Sequence, residues 1–473
     1  MFTEAYPLAD TIVAIATPHG YGGIGIVRLS GTDAIFIARN LLADSPDSLP
    51  VLKPRFFRHG WVHCLSEDGS REAIDEVLAV AMPGKATFTG EDVAEIHCHG
   101  TPAVLMAVVA SACRLGARLA SKGEFTYRAF AHGKYDLTQA EAVAEMIAAP
   151  ALTGARLAQA KLSGLLGKRI GELYSVIERL RARVALAIDF PEEETAAVGI
   201  DDFREDLDLA RSGIRELLAS YKRARHWREG VAVILAGKVN AGKSSLLNTL
   251  LGRNRAIVSA HPGTTRDFLE ECLDMDGLAV RIIDTAGLRT SEDPIEQEGV
   301  LRSKALAEEA HLVLLVTDAS RPPDEEEKAF FEAHKGRILL VRNKIDLLPE
   351  DARKKLQADD GFPGAPSCAV SATEGCGLEE LAATLRRMVM VCNDFTPDEP
   401  ERGDIVPNLR QSALLAAALA ETEALSRDIA DNIACDLFSV RLDAIAAHLA
   451  EITGFAATDD ILGHIFSRFC VGK

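Results

Sequence analysis

The feature that most constrains this chain is the segment Gly237-Lys-Val-Asn-Ala-Gly242-Lys243-Ser244, which directly follows the wholly apolar run Val231–Ala236. GxxxxGK[ST] spacing between a strand and a helix makes a tight loop whose amide hydrogens face phosphate oxygens, with the positive end of the helix behind them. Such a loop needs a buried parallel strand to leave and a helix to enter. It therefore predicts a doubly wound α/β domain in the middle of the chain. The surrounding sequence agrees: from about 228 to 385, short apolar runs (280–283, 312–316, 338–341, 368–370) alternate with helix-like stretches. In this reading Lys243 reaches the β and γ phosphates, Ser244 offers its hydroxyl to Mg²⁺, and Asn240, Ala241, Gly242 and Ser245 complete the phosphate cradle.

Further elements stand at the ends of the later runs. Asp284-Thr285-Ala286-Gly287 supplies a carboxylate for the metal shell and an amide that can sense the γ-phosphate. In Asn343-Lys344-Ile-Asp346 a carboxylate can pair with the two donors on the guanine edge, a donor pair that adenine lacks. Ser371-Ala372 would back the base with main-chain amides. Together these elements identify the nucleotide as GTP. Thr265, within Gly263-Thr264-Thr265-Arg-Asp267, is placed to close over Mg²⁺. Where small GTPases carry a water-orienting Gln, this chain has Leu288, so hydrolysis is either crippled or served by another group, with the acidic stretch ending Glu296-Gln-Glu298 supplying candidates. The Asn240 carboxamide could ligate a monovalent cation near the phosphates, or it could simply shape the loop.

The 473 residues predict two or three folded units. Hydrophobic residues make up 48% and charged residues 26%, which is globular usage. No window approaches the ~18 apolar residues of a membrane span, and the N-terminus resembles neither a signal peptide nor an organelle presequence, so the expected location is cytoplasmic, with no membrane partner. A net charge of −18 is the wrong sign for a broad nucleic-acid grip, and RNA contact must be local or shared. Nine scattered Cys without a CxxC suggest reduced thiols. Residues 11–118 read as α+β with one helical stretch over 102–119. Helical periodicity follows, with Leu137, Ala140, Val143 and Ile147, then Ile170, Leu173, Ile177 and Leu180, on single faces. After the polar linker 393–400, helical sequence resumes over 411–426 and 437–453, so the α/β domain reads as an insertion into a helical one.

Beyond the GTPase elements, the chain carries Asp10-Thr-Ile-Val-Ala-Ile-Ala-Thr-Pro, Gly22-Gly-Ile-Gly-Ile-Val-Arg28, Phe88-Thr-Gly-Glu-Asp-Val-Ala-Glu95, Gly123-Glu-Phe-Thr-Tyr-Arg-Ala-Phe130 with Lys134, and the terminal Phe469-Cys-Val-Gly-Lys473. In these strings it resembles, over essentially its whole length, the MnmE (TrmE) family of tRNA modification GTPases. The resemblance implies a folate-binding, dimerising α+β domain (1–120), a discontinuous helical domain (121–220 and 389–473) and an inserted P-loop GTPase domain (221–388). It also implies a homodimer that joins the FAD-containing flavoprotein MnmG (GidA) in a heterotetramer. That complex places an aminomethyl-type (carboxymethylaminomethyl) group on carbon 5 of the wobble uridine of tRNA. The one-carbon unit comes from a tetrahydrofolate derivative in its 5,10-methylene or 5-formyl form, and GTP hydrolysis is driven by Mg²⁺ and K⁺.

Carried over by matching motif, Asn240 would bind K⁺ together with Ser259, His261 and Thr264, while Ser244 and Thr265 would bind Mg²⁺. Glu296 would orient the attacking water, with Glu298 as fallback. Arg28, Glu95, Lys134 and Lys473 match the folate contacts, the cations suiting a glutamate tail and the carboxylate the pterin donors. Cys470 is either a thiol acting in one-carbon transfer or a small apolar residue packing the last helical turn. His97-Cys98-His99 reads as strand rather than metal site, and the run from Asp324 as a solvated helix start. The competing function is a ribosome-assembly GTPase switch, which shares the central motifs but would carry a basic RNA module.

Overall fold

The computed structural model describes residues 6–66, 69–189, 200–238, 240–254, 270–284, 310–355, 362–392, 400–401, 403–431, 433–434 and 436–472. The chain forms two compact units. One comprises Met1–Glu145, Gln159–Leu218 and Pro407–Lys473; the other comprises Met146–Ala158 and Ala219–Val406.

In the first unit, strands β1 (Ile12–Ile15), β2 (Gly22–Ser30), β3 (Arg58–Leu65), β4 (Arg71–Met82), β5 (Val93–Gly100) and β6 (Arg118–Leu119) make a sheet of order β3-β4-β5-β2-β1-β6. Strand alternation sorts the side chains: Val27, Leu29, Val77, Ala79 and Ile96 are buried with the helices Ala34–Leu41 and Pro102–Arg114. Gly25 lets the second helix come close, because a Cβ there would strike the Leu105 side chain. Arg28, one residue out of phase with Val27 and Leu29, belongs to the opposite face. The helix expected over 102–119 ends at Arg114, because Gly116 turns the chain (φ 104°) and Arg118 then donates its N–H to the Thr11 carbonyl to begin β6. Helix Ala34–Leu41 was not expected. Its Ala34, Ile37, Ala38 and Leu41 are spaced for one buried face, but the run is short.

The helical part of this unit packs Leu165–Asp189 against Asp436–Thr453, and the latter against Leu409–Ala430. Ile170, Leu173, Ile177 and Leu180 are all buried, as their spacing predicts. Sequence-distant pieces are fastened by charge. Glu141, on helix Leu137–Ala148, accepts from Arg410 Nε and Nη2 at 2.8 Å each and from Gln411 Nε2 at 2.6 Å. This fork-to-carboxylate geometry is the strong form of an ion pair.

In the second unit, β7 (Val231–Ala236), β8 (Glu270–Met275), β9 (Leu278–Asp284), β10 (Leu312–Asp318), β11 (Ile338–Asn343) and β12 (Ser367–Ala369) form a sheet of order β12-β11-β10-β7-β9-β8. Every pairing is parallel except β8–β9. β7 and β11 are buried at every residue, the pattern of strands covered on both faces. In the sheet β7 is flanked by β9 on one side and β10 on the other, so the connections diverge at its C-terminal end, the place where open α/β sheets bind ligands. Among the described residues no helix is long and apolar enough to cross a membrane.

Candidate functional site

The P-loop springs from the end of β7. Gly237 (φ 138°) and Gly242 (φ 92°) adopt conformations that side chains rarely enter, and each would also lack room for a Cβ, the first against the Val316 carbonyl and the second against the Asn343 amide. Asn240 takes the left-handed conformation with a side chain (φ 65°) and is exposed at the loop's tip. Helix Lys243–Asn254 follows, with Ser244 and Ser245 exposed in its first turn and Lys243 buried. The Lys243 ammonium donates to the carbonyls of Gly237 (2.6 Å) and Lys238 (2.9 Å), which holds it inside the curve of the loop.

The loops after β11 and β12 meet the P-loop through one buried side chain. Asn343 Nδ2 donates to the Ala241 carbonyl at 2.9 Å, and its Oδ1 accepts from the Ala372 N–H at 3.1 Å. Thr249 closes the circuit by donating to the Ala372 carbonyl at 2.9 Å. Among the described residues the Asp346 carboxylate is held through one oxygen, Oδ1, which accepts from the fully buried Ser371 hydroxyl at 2.6 Å. Asp284 ends β9 in register with Leu235, which puts its backbone beside the start of the P-loop. Asn240, Ala241, Gly242, Lys243, Ser244, Ser245, Asn343, Lys344, Asp346, Ser371 and Ala372 thus lie at one end of one sheet. Ser259, His261, Thr264, Thr265, Thr285, Ala286, Gly287 and Glu296 lie outside the described residues.

A second cluster forms in the other unit. Arg28 Nε donates to Glu95 Oε1 at 2.8 Å, and Arg28 Nη1 donates to the Gly472 carbonyl at 3.3 Å, joining β2, β5 and the C-terminal tail. The Arg28 guanidinium and the Lys134 ammonium each lie 5.7 Å from the centroid of Phe88. Lys134 also donates to the Thr87 carbonyl, and partial burial pushes its ammonium below the ordinary lysine value. The tail is seated by Gly472, where a Cβ would collide with the Ile15 carbonyl, and by the Gly123 N–H donating to the Cys470 carbonyl at 3.3 Å. Cys470 itself is exposed rather than packed. Arg28, Glu95 and Lys134 are therefore brought together; Lys473 lies outside the described residues.

One set of residues escaped sequence reasoning. Arg128, fully buried, donates to Asp10 Oδ1 (2.5 Å), Glu124 Oε1 (3.2 Å) and Glu91 Oε2 (3.2 Å), while Arg118 donates to Asp10 Oδ2 (2.7 Å) and Glu124 Oε1 (2.6 Å). This network locks helix Glu124–Ala131 under the sheet, where Phe125 packs with Ile12, Ala14 and Phe88. The strings Phe88–Glu95 and Gly123–Phe130 supply both the Phe88 wall of the cluster and the network behind it. Their separation in sequence hides the pairing.

The remaining candidates are accounted for locally. His97 meets Glu95 at 3.2 Å and His99 meets Asp75 at 2.6 Å, while burial pushes the Cys98 thiol up to about 12. No group of three or more metal-ligating side chains occurs among the described residues. Asp324 caps helix Glu325–Ala333 with a reciprocal capping box and also pairs with Lys238 of the P-loop.

Comparison with known proteins places the chain. The family model described as "GTP-binding protein TrmE N-terminus" matches residues 11–134, and that described as "MnmE helical domain" matches 137–470. A tRNA modification GTPase MnmE from Nitratidesulfovibrio vulgaris (strain DP4) is 48% identical over 98% of this chain and 99% of its own length. The protein of the same name from Lawsonia intracellularis is 42% identical over 98% of this chain and 100% of its own length. Among solved structures, the G domain of the T. maritima FeoB iron transporter aligns at 29% identity over 33% of this chain and 98% of that one, with a TM-score of 0.25, too low to bear on the fold. With family models matching nearly all of its length and relatives this similar end to end, the chain belongs to the MnmE family of tRNA modification GTPases.

Proposed function

We propose that this protein is the GTP-hydrolysing component of a cytoplasmic complex that modifies carbon 5 of the tRNA wobble uridine with a folate-derived one-carbon unit. The observation that carries the GTPase half is the Asn343 bridge, which ties the P-loop to the loop bearing Ala372, the two pieces that would hold the phosphates and the base. Asp346 receives the guanine edge, and Lys243 and the P-loop amides receive the phosphates. The exposed hydroxyl of Ser244 suits Mg²⁺, with Thr265 as its second protein ligand. The exposed, left-handed Asn240 suits K⁺, shared with Ser259, His261 and Thr264; the two cations would neutralise charge developing on the phosphates. Glu296 orients the attacking water in place of the absent Gln.

The folate half rests on the Arg28–Glu95–Lys134 cluster around Phe88. Two cations beside an aromatic face suit an anionic, ring-bearing ligand, and Lys473 would add a third. The tail that carries Cys470 is anchored beside Arg28, which supports a role for its thiol in the transfer step. The homodimer and the heterotetramer with the flavoprotein MnmG belong to the same reading, and tRNA is its substrate. Nucleoside mass spectrometry of tRNA from a deletion strain, complemented with wild type or Lys243→Ala, tests it. Modified wobble uridines should vanish in the deletion and return only with wild type. Their persistence in the deletion would reopen the ribosome-assembly reading.

A further inference from the structure

Strands β10 and β11 end side by side, with Asp318 in register with Asn343, and the ladder runs one bond further as the Ala319 N–H donates to the Asn343 carbonyl at 2.8 Å. The next residue on β11's side, Lys344, turns the chain in the left-handed conformation (φ 67°) into the short 3₁₀ turn Ile345–Leu347 that presents Asp346. That conformation is uncommon for a residue with a Cβ and persists only where its surroundings hold it. Here the holder is visible. Asp318 Oδ2 accepts from the Lys344 ammonium at 2.7 Å. Its other oxygen is occupied by Ser320, whose N–H donates at 2.9 Å and whose hydroxyl donates at 2.6 Å. The carboxylate is mostly buried (14% exposed), so the pair is better shielded from solvent than an ordinary surface ion pair.

We propose that Asp318 is a positioning residue for guanine recognition, acting through Lys344. It does two things at once. It fixes the side chain of a residue whose backbone sets the direction of Asp346, and it occupies an ammonium that stands only two residues before that carboxylate. Among the described residues the Asp346 carboxylate is otherwise held by a single bond from Ser371, so a released Lys344 can pair with it and remove the acceptor that the guanine N–H groups require. No motif marks Asp318, because its partner lies 26 residues away, just past the end of the neighbouring strand. The inference rests on the assignment of Asp346 as the base ligand.

The test is steady-state hydrolysis of GTP and ITP by the full chain, with release of a fluorescent GDP analogue, in wild type and Asp318→Asn. Inosine lacks the exocyclic amine, so the ratio of kcat/KM for GTP to that for ITP reports the Asp346 contact directly. For Asp318→Asn we expect GTP KM to rise about five- to twentyfold, the loss of one charge-assisted bond, with kcat within about twofold. Analogue release should quicken, and the GTP/ITP ratio should fall. An unchanged KM and ratio, or a fall in kcat at constant KM, would overturn the proposal. Should the variant fail to fold, Ser320→Ala loosens the same carboxylate; KM and the GTP/ITP ratio should then move in the same directions by a smaller factor, and constancy of both would count against it. A wild-type chain that fails to prefer GTP to ATP would refute the Asp346 assignment itself, and the proposal with it.

Discussion

The two candidate sites are built in opposite ways. The nucleotide site takes its residues from loops at the ends of neighbouring buried strands, so each piece is a contiguous motif and one side chain, Asn343, suffices to join them. The folate candidate takes single residues from several strings far apart in the sequence. Arg28 reaches the Gly472 carbonyl across 444 residues, and Lys134 shares the Phe88 ring with it. A site of the first kind depends on strand order. One of the second kind depends on long-range ion pairs surviving together, and it should be the more fragile to single changes behind its surface.

That contrast can be broken in several places. The largest effect on chemistry should come from Lys243→Ala, which removes the ammonium inside the P-loop. GTP turnover should fall at least about a hundredfold while thermal unfolding of the chain hardly moves. A phosphate-release assay and a melting curve check both halves.

The largest effect on stability should come from Arg128→Met, which leaves the fully buried Glu124 and the part-buried Glu91 without their shared cation, at a cost of about 3–5 kcal/mol. Denaturant unfolding measures it. A loss below about 1 kcal/mol would mean that the network does not hold the site.

A smaller effect is expected from pH in the GTPase unit. His226 and His311 stack edge to face at 5.2 Å, and the Ala232 N–H donates to His311 Nδ1, which requires a neutral ring. Burial first holds both below the ordinary histidine value; the His311 ring and Arg225 further oppose the charged form of His226, Arg225 and Arg281 oppose that of His311, and Glu229 favours both less strongly. The unfolded chain therefore takes up protons first as pH falls below about 6.5, and stability should decline there while staying flat above it. Melting temperatures between pH 5.5 and 8 would show this, and His311→Gln should flatten the decline.

How much was legible in the sequence follows the same division. Gly237–Ser244, Asn343–Asp346 and Ser371–Ala372 could be read because local spacing and the preceding apolar run fix where each lies. The Arg128 network could not, since Asp10, Glu91 and Glu124 are ordinary charged residues until the sheet and helix Glu124–Ala131 bring them together. Resemblance supplies Arg28, Glu95 and Lys134 as separate positions, and only the structure puts Arg28 and Lys134 on one aromatic ring with Glu95 paired to Arg28. The helix that periodicity predicts over 102–119 is shorter in the structure because the apolar residues continue past Gly116 into a strand, where period alone does not mark the change. Asp318 was missed for the reason Arg128 was: its meaning lies in a neighbour across the sheet.

The most direct test of the account is calorimetric titration of the full chain with 5-formyltetrahydrofolate and, separately, with GDP and Mg²⁺, in wild type, Arg28→Ala and Lys243→Ala. Wild type should bind both, Arg28→Ala should lose folate binding and keep GDP, and Lys243→Ala should do the reverse. Folate binding that survives Arg28→Ala unchanged would contradict the second site as drawn here.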